Sequence, residues 1–272
     1  RFMAGFDMHI HSSASDGAFS PGQLVAMAKK RGLLGLSITD HDTVAGLAEA
    51  AAMAAELDIA FIPGVELSTE VGDRDVHILG YWLDAEQLSF TRRLGQLSQA
   101  RQGRAAEIVR RLKLLAMPLD MDAIRAAAGG GSLGRPHIAQ AMVEAGYVKT
   151  LREAFNKWLG RGLPAYVPRE KLAPIEAVRL IQEAGGVAVI AHPATGVPDP
   201  LIPLLVREGV GGMEVYHPEH NQAAEQKYGR LARGLRIAMM GGSDFHVPGI
   251  REIGCRITTV GQLEILSRYK PD

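Results

Sequence analysis

Side chains able to ligate a metal recur wherever a short apolar run gives way to Gly, Ser or Pro. They are His9 and His11 in FDMHIHSSASDG, His41 in SITDHDT, Glu66 in IPGVELS, His192 in VIAHP, and Asp244 and His246 in GGSDFH. That is the layout of a barrel that gathers its working residues at the carboxyl ends of its strands. Imidazoles mixed with hard carboxylates, and no thiolate, suit a hydrolytic centre of several divalent ions.

Taken singly, each group has a bland counterpart. His9 and His11 lie two apart, so a strand points both rings the same way toward one ion, yet such a pair can also simply pack. Asp16-Gly17 continues the same loop and lets a carboxylate curl back over the pocket. In Thr39-Asp40-His41-Asp42, either acid can orient the His41 ring, while Asp42 fits better as the cap of the next helix. Glu66 follows Pro63-Gly64 and is placed to bridge two cations. His77 opens an apolar strand and reads equally as a core histidine or a ligand. His192 ends the greasy run VAVIA, where a polar group needs a partner. Together the groups demand many coincidences unless they converge, so a metal-dependent hydrolase is expected.

The elements that must position them alternate. FDMHIH reads as a strand, then a helix opens at Pro21 and closes at Gly32, then strand GLSITD, helix TVAGLAEAAAMAAELD and strands AFIPGVELST and VHILGYWL. Such alternation predicts parallel strands with helices outside. From about Glu86 the pattern turns helical: an Arg-rich stretch at 91–111 is followed by helix candidates at Met121–Ala128, Pro136–Ala145 and Leu151–Leu159. The alternation resumes through Ile175–Glu183, GVAVIAHP, GGMEVYHP, RIAMMGGSDFH and a last strand, CRITTV. The expected organisation is a barrel of residues 1–84 and 169–272 interrupted by a helical insertion, 85–168, that caps the substrate site.

Composition excludes several classes. The chain has 272 residues, 47% of them apolar, enough for one large α/β domain with an insertion. Thirty basic and thirty acidic residues cancel, so bulk charge advertises neither nucleic acid nor membrane. A single cysteine, Cys255, rules out an internal disulfide and a thiolate zinc site, and fits a cytoplasmic protein. No apolar stretch approaches the roughly 20 residues of a membrane span, and no export signal or obligate protein partner is expected.

H-x-H with Asp-Gly downstream, T-D-H-D, G-x-E, a following His, A-H-P and G-S-D-x-H, in that order from Asp7 to His246, resemble the PHP (polymerase and histidinol phosphatase) superfamily. The resemblance implies an α/β fold, a distorted (β/α)7 barrel, with two or three divalent ions, manganese first and iron or zinc as alternatives. It implies one ion on His9, His11, Glu66 and Asp244, a second on Glu66, His77 and His192, and a third on Asp16, His41 and His246. SDGxxSPxxL, GRPHIA and EVYHPEH resemble a bacterial branch with a helical insertion. That similarity implies a phosphoesterase releasing phosphate from a 3′,5′-nucleoside bisphosphate by attack of a metal-bridging hydroxide. Cleavage of 5′-phosphorylated RNA is the alternative.

Further expected contacts follow. Asp40 is assigned to catalysis, and His217, after GGMEVY, to proton donation and phosphate contact. Ser12, Arg135 and His137 are assigned to substrate, the last two beside a helix start that favours an anion. Lys157, Arg161 and Arg169 are expected along the approach, and His220 on the surface. An amidohydrolase acting on C–N or C–O bonds, and a non-catalytic nucleotide-binding module, are the rival readings. The first often uses a carboxylated lysine, and no lysine stands at a plausible strand end here before Lys149. RNA as main substrate would need a basic groove with stacking aromatics, for which Phe90, Phe155, Trp158 and Tyr166 are at hand.

Overall fold

The structure, a computed structural model, describes residues 5–128, 133–168 and 172–271. Seven strands pair in chain order: β1 (Phe6–Asp7), β2 (Gly35–Ile38), β3 (Ala60–Val71), β4 (Arg74–Tyr81), β5 (Val187–Ile190), β6 (Gly212–Tyr216) and β7 (Ala238–Gly241). The sheet curls back on itself through a parallel bridge between Ile10 and Phe245 and an antiparallel one between Phe6 and Thr258. It is a nearly closed, distorted barrel.

The expected all-parallel pattern fails at one strand. β4 runs antiparallel to both β3 and β5. Val71 pairs with Arg74, leaving two turn residues of which Gly72 has φ +61°. So short a link makes a hairpin, whereas a parallel crossover needs a dozen residues or more. Two sequence-predicted strands also shrink. FDMHIH is a strand only over Phe6–Asp7, and CRITTV contributes one bridge at Thr258, because the following residue caps a helix instead.

Helices cover the outside: α1 (Pro21–Lys30), α2 (Leu47–Glu56), α3 (Leu88–Leu114), α4 (Met121–Ala127), α5 (Arg135–Glu144), α6 (Leu151–Ala154), α7 (Pro174–Glu183), α8 (Leu201–Arg207), α9 (Gln222–Leu235) and α10 (Val260–Ser267). Ser20 caps α1, with Gln23 reciprocating and Pro21 in the first turn. Along β5, Val187 and Val189 join an inner cluster with Met8, Leu79, Tyr81 and Met240. Their neighbours Ala188 and Ile190 join the outer layer against the helices, as two-residue alternation requires. No helix among the described residues is long and apolar enough to cross a membrane.

α3 is 27 residues long, about 40 Å at 1.5 Å per residue. Its first half sends Phe90, Leu94 and Leu97 into the barrel's outer core. Its second half sends Ala105, Ile108, Val109 and Leu112 into a separate core with Ile138, Ala139 and Met142 of α5 and Leu159. The seam between the two cores therefore falls inside α3.

Close backbone approach at the strand ends sets the site. A Cβ on Gly242 would lie 2.3 Å from His9 Cβ and 2.7 Å from His9 N. Gly242→Ala should therefore push the His9 segment aside and cost about 1–3 kcal/mol in urea unfolding, in the usual range for overpacking a tight interior. An unchanged midpoint would contradict this contact.

Candidate metal centre

All nine expected ligands meet at one end of the barrel, around Glu66. This residue lies within β3 and is 1% exposed. Its Oε1 is 2.8 Å from His77 Nδ1 and 3.1 Å from His192 Nε2. Its Oε2 is 3.1 Å from His11 Nε2, 3.1 Å from His41 Nδ1 and 3.3 Å from His9 Nε2. Asp244 Oδ1 stands 3.2 Å from His11 Nε2 and 3.4 Å from His9 Nε2. Asp16 approaches His246 Nε2 at 3.4 Å and His41 Nε2 at 3.9 Å.

Among the described residues, ligand atoms within 4.8 Å of one another form five groups, one of which joins Glu214 and His217 to His9. His9, His11 and Asp244 form one, and Asp16, His41 and His246 join His11 in another. Glu66 shares one group with His9 and His192 and a different one with His41 and His77. His77 and His192 both approach the same oxygen of that residue, Glu66 Oε1, at 2.8 and 3.1 Å. The donor set fits divalent ions. His9 Nε2 faces His11 Nε2 at 3.1 Å, and the buried Nδ1 atoms of His11 and His41 lack hydrogen-bond partners. Lone pairs aimed at each other and at carboxylates want a cation between them.

Strained backbone accompanies this convergence. Asp42, His192 and Asp244 have φ of +52°, +23° and +48°, uncommon for residues with a Cβ. Buried acids brace them. Asp7 accepts the N–H groups of His9, Ser243 and Gly254. Glu214 of β6 accepts His9 Nδ1–H at 2.9 Å and His192 N–H at 2.7 Å. Sequence reasoning missed both, although a charged residue inside an apolar strand, FDM or GGMEVY, was the available sign.

Several expected roles change. Asp40 does not orient His41; its oxygens accept Ser12 N–H, Ser12 Oγ–H and Ser15 Oγ–H at 2.6–2.7 Å, which folds the loop leading to Asp16. Ser12 is accordingly fully buried, its hydroxyl bound to Asp40 and turned from substrate. Asp42 caps no helix: α2 begins later, after Gly46, and Asp42 accepts Ser68 N–H and pairs with Arg101. His137 uses Nδ1 to accept Gly134 N–H at the start of α5. His220 is buried, donating Nδ1–H to Val215 O. Lys157 pairs with Glu153 on its own helical turn, and Arg161 with Glu70 near the end of β3. Arg169 lies outside the described residues.

Arg135 does line a cleft against Asp16, His41 and His77, together with two arginines of α3, Arg101 and Arg104. The Arg-rich composition of 91–111 was the signal for those two. His217 is fully buried; its Nδ1 accepts Glu219 N–H, so its Nε2 carries the proton. That Nε2 has no hydrogen-bond partner and stands 3.4 Å from Asp244 Oδ2. Arg251 pairs with the same carboxylate and with Glu219.

The charges are strongly coupled. Burial opposes a proton on His9, but Glu214, Glu66 and Asp244 outweigh it and raise the ring well above its usual value. Burial likewise opposes one on His11, which hydrogen bonds to Asp244 and Glu66 push up to about 10. Burial opposes ionisation of Glu66 and Asp244, yet the imidazoles hold both well below the usual carboxylate range. His41 goes the other way, down to about 3, chiefly through burial.

These raised histidine values stabilise the ion-free fold fully below about pH 6.5, a contribution lost as pH rises toward 10. A histidine must be neutral to ligate. Manganese binding at pH 7.5 should therefore release protons, from His9 and His11 above all, and weaken as pH falls from 8 to 6. Calorimetry in buffers of differing ionisation enthalpy reads this, and buffer-independent heat would contradict it.

Comparison with known proteins agrees with this geometry. A family model described as PHP domain matches residues 7–159. A 3′,5′-nucleoside bisphosphate phosphatase of Chromobacterium violaceum is 36% identical over 91% of this chain and 89% of its own. A 5′-3′ exoribonuclease of Haemophilus influenzae is 35% identical over 94% of this chain and 95% of its own. A Bifidobacterium adolescentis structure, described under metal-dependent phosphoesterases, superimposes with a TM-score of 0.91 at 29% identity, covering 99% of this chain and 97% of the other. On the family model, the two relatives at 35–36% identity and the superimposing barrel, the chain belongs to the PHP domain family and is a metal-dependent phosphoesterase.

Proposed function

We propose that the protein removes the 3′ phosphate from a small 3′,5′-nucleoside bisphosphate, with residues 85–168 forming the cap over its site. The observation carrying this reading is the cleft whose one wall holds Asp16, His41 and His77 and whose other holds Arg101, Arg104 and Arg135. A substrate with two separated phosphoryl groups answers both walls at once: one group at the metal donors, the other at guanidinium groups suited to phosphate. The similar C. violaceum enzyme is named for that activity.

In this reading His9, His11, Glu66 and Asp244 hold one ion, Glu66, His77 and His192 a second, and Asp16, His41 and His246 a third. Manganese is assigned first, since His and carboxylate donors accept it as well as iron or zinc. Bound divalent ions supply an activated water and neutralise phosphate oxygens. The remaining steps belong to the protein. His217 presents Nε2–H into the centre, where the neutral ring can donate a hydrogen bond to a phosphate oxygen. Arg135 is half-buried in the cleft lining, reaching Leu159 O at 3.4 Å, lying over the Phe155 ring and standing 3.9 Å from Asp75 Oδ2. Burial of His9, His11 and Glu66 keeps bulk water from screening the centre.

A phosphate-release screen with Mn²⁺ over nucleoside bisphosphates, sugar phosphates and short 5′-phosphorylated RNA tests the reading. Adenosine 3′,5′-bisphosphate should lead; preference for RNA, the activity named for the H. influenzae relative, would replace it. Glu66→Ala and Asp244→Ala should abolish release from every substrate while the chain stays folded.

Arg135→Ala should raise KM for the bisphosphate about tenfold or more, the worth of a hydrogen bond to a charged group, and spare p-nitrophenyl phosphate, which lacks the remote group. Equal losses on both substrates would contradict the role given to Arg135.

A further inference from the structure

Glu214 is 1% exposed, stands outside the expected ligand set and lines no wall of the arginine-bearing cleft. Each of its carboxylate oxygens nevertheless serves a different ligand-bearing segment. Oε1 takes the ring Nδ1 of His9, and Oε2 takes the main-chain N–H of His192. We infer that Glu214 is a positioning residue that aims His9 and His192 at Glu66 together, so that the affinity of the centre for its ions depends on it. The inference rests on the proposed metal centre.

Tautomer logic carries the His9 half. An ionised carboxylate offers only acceptors, so His9 Nδ1 must be the donor. In the neutral ring the lone pair then sits on Nε2, which faces Glu66 Oε2 at 3.3 Å and Asp244 Oδ1 at 3.4 Å. The His192 half concerns the backbone. With φ +23°, His192 occupies a sparsely populated conformation that surrounding contacts must impose. Glu214 fixes its N–H, while Thr195 Oγ donates to His192 O at 2.9 Å and so accepts from the ring Nδ1 at 2.8 Å. His192 Nε2 is thereby turned to Glu66 Oε1 at 3.1 Å. The two rings stand 5.7 Å apart, centroid to centroid, nearly parallel, on the two sides of one Glu66 carboxylate.

The carboxylate form is specifically required. Glu214→Gln keeps size and shape but replaces one acceptor with an NH2 donor. That NH2 must meet either the His192 N–H, donor against donor, or His9 Nδ1. In the second case the His9 proton moves to Nε2, and the ring can no longer ligate through that atom.

The test compares the whole wild-type chain with Glu214→Gln, first stripped of metal and then titrated with Mn²⁺ or Zn²⁺. Support would be a metal-free melting temperature close to wild type with ion affinity about ten- to hundredfold weaker, the usual effect of losing a partner of a ligating histidine. Wild-type affinity in Glu214→Gln overturns the inference while leaving the metal centre intact. A wild-type chain that binds no ion overturns the metal-centre reading and the inference with it, so the two failures are distinguishable. Should the variant not fold, nitrogen-15 histidine spectra of the Zn²⁺-loaded wild type decide. A His9 proton on Nδ1 supports the assignment, and its absence there overturns it.

Discussion

A carboxylate buried among five imidazoles is the constraint around which this molecule is organised. Glu66 is almost wholly removed from solvent, and such burial costs several kcal/mol unless the charge is paired. The imidazoles of His9, His11, His41, His77 and His192 surround its two oxygens. They can offset the cost in two ways: by carrying protons, as the raised histidines do, or by carrying cations. Because these partners come from segments up to 183 residues apart (His9 to His192), only the closed barrel can bring them together. Protons and divalent ions compete for the same lone pairs, so one set of contacts governs both the stability of the empty fold and its chemistry.

Three further buried acids explain how the ligands stay aimed. Asp7 ties β1 to the loops after Gly242 and at Gly254, Asp40 ties down the Ser12–Ser15 turn, and Glu214 joins the segment after β1 to the segment after β5. None of them is in the expected ligand set. Each accepts at least two donors from a ligand-bearing loop, so each satisfies its own buried oxygens while restraining strained backbone. Among the described residues, Asp7 and Asp40 join no ligand group and add negative potential beside a centre of several cations, while Glu214 also shares a group with His9 and His217.

Much of this was legible from the residues. Seven of the nine expected ligands came from apolar runs ending in His, Asp or Glu before a turn, since a polar residue at the end of a buried run must find partners. Asp16 and His77 entered the set through the family resemblance. The roles of neighbours were not legible. Asp40 and Ser12 adjoin ligands in the chain, and chain adjacency suggested direct service to the site, while Asp42 was expected to cap the next helix. Their side chains instead point into the loop network, a direction fixed by positive φ at Asp42 and by Asp40's three hydroxyl and amide donors. His137 reads as an anion contact because it follows Gly-Arg-Pro, yet helix capping claims its Nδ1 first. The antiparallel β4 was hidden because apolar alternation carries no strand direction; only the two-residue link at Gly72 does.

The position of the arginines follows from α3 being anchored in two cores. Its first half is fixed to the barrel by Phe90, Leu94 and Leu97, and Arg101 lies one helical turn further on, paired to Asp42. Asp42 is the residue after His41 and also accepts Ser68 N–H from β3, the strand that carries Glu66. Arg101 is thus joined through Asp42 to two of the ligand segments, and Arg135 stands 3.9 Å from Asp75 of β4, the strand that carries His77. A wall so joined sets a fixed span between guanidinium groups and metal donors, where a hinged lid would allow many. A fixed span discriminates by substrate length: a phosphate at the wrong distance cannot reach the arginines and the ligands together. On the proposed reading, that is how a site built for one reaction distinguishes a bisphosphate from a monophosphate without touching the base.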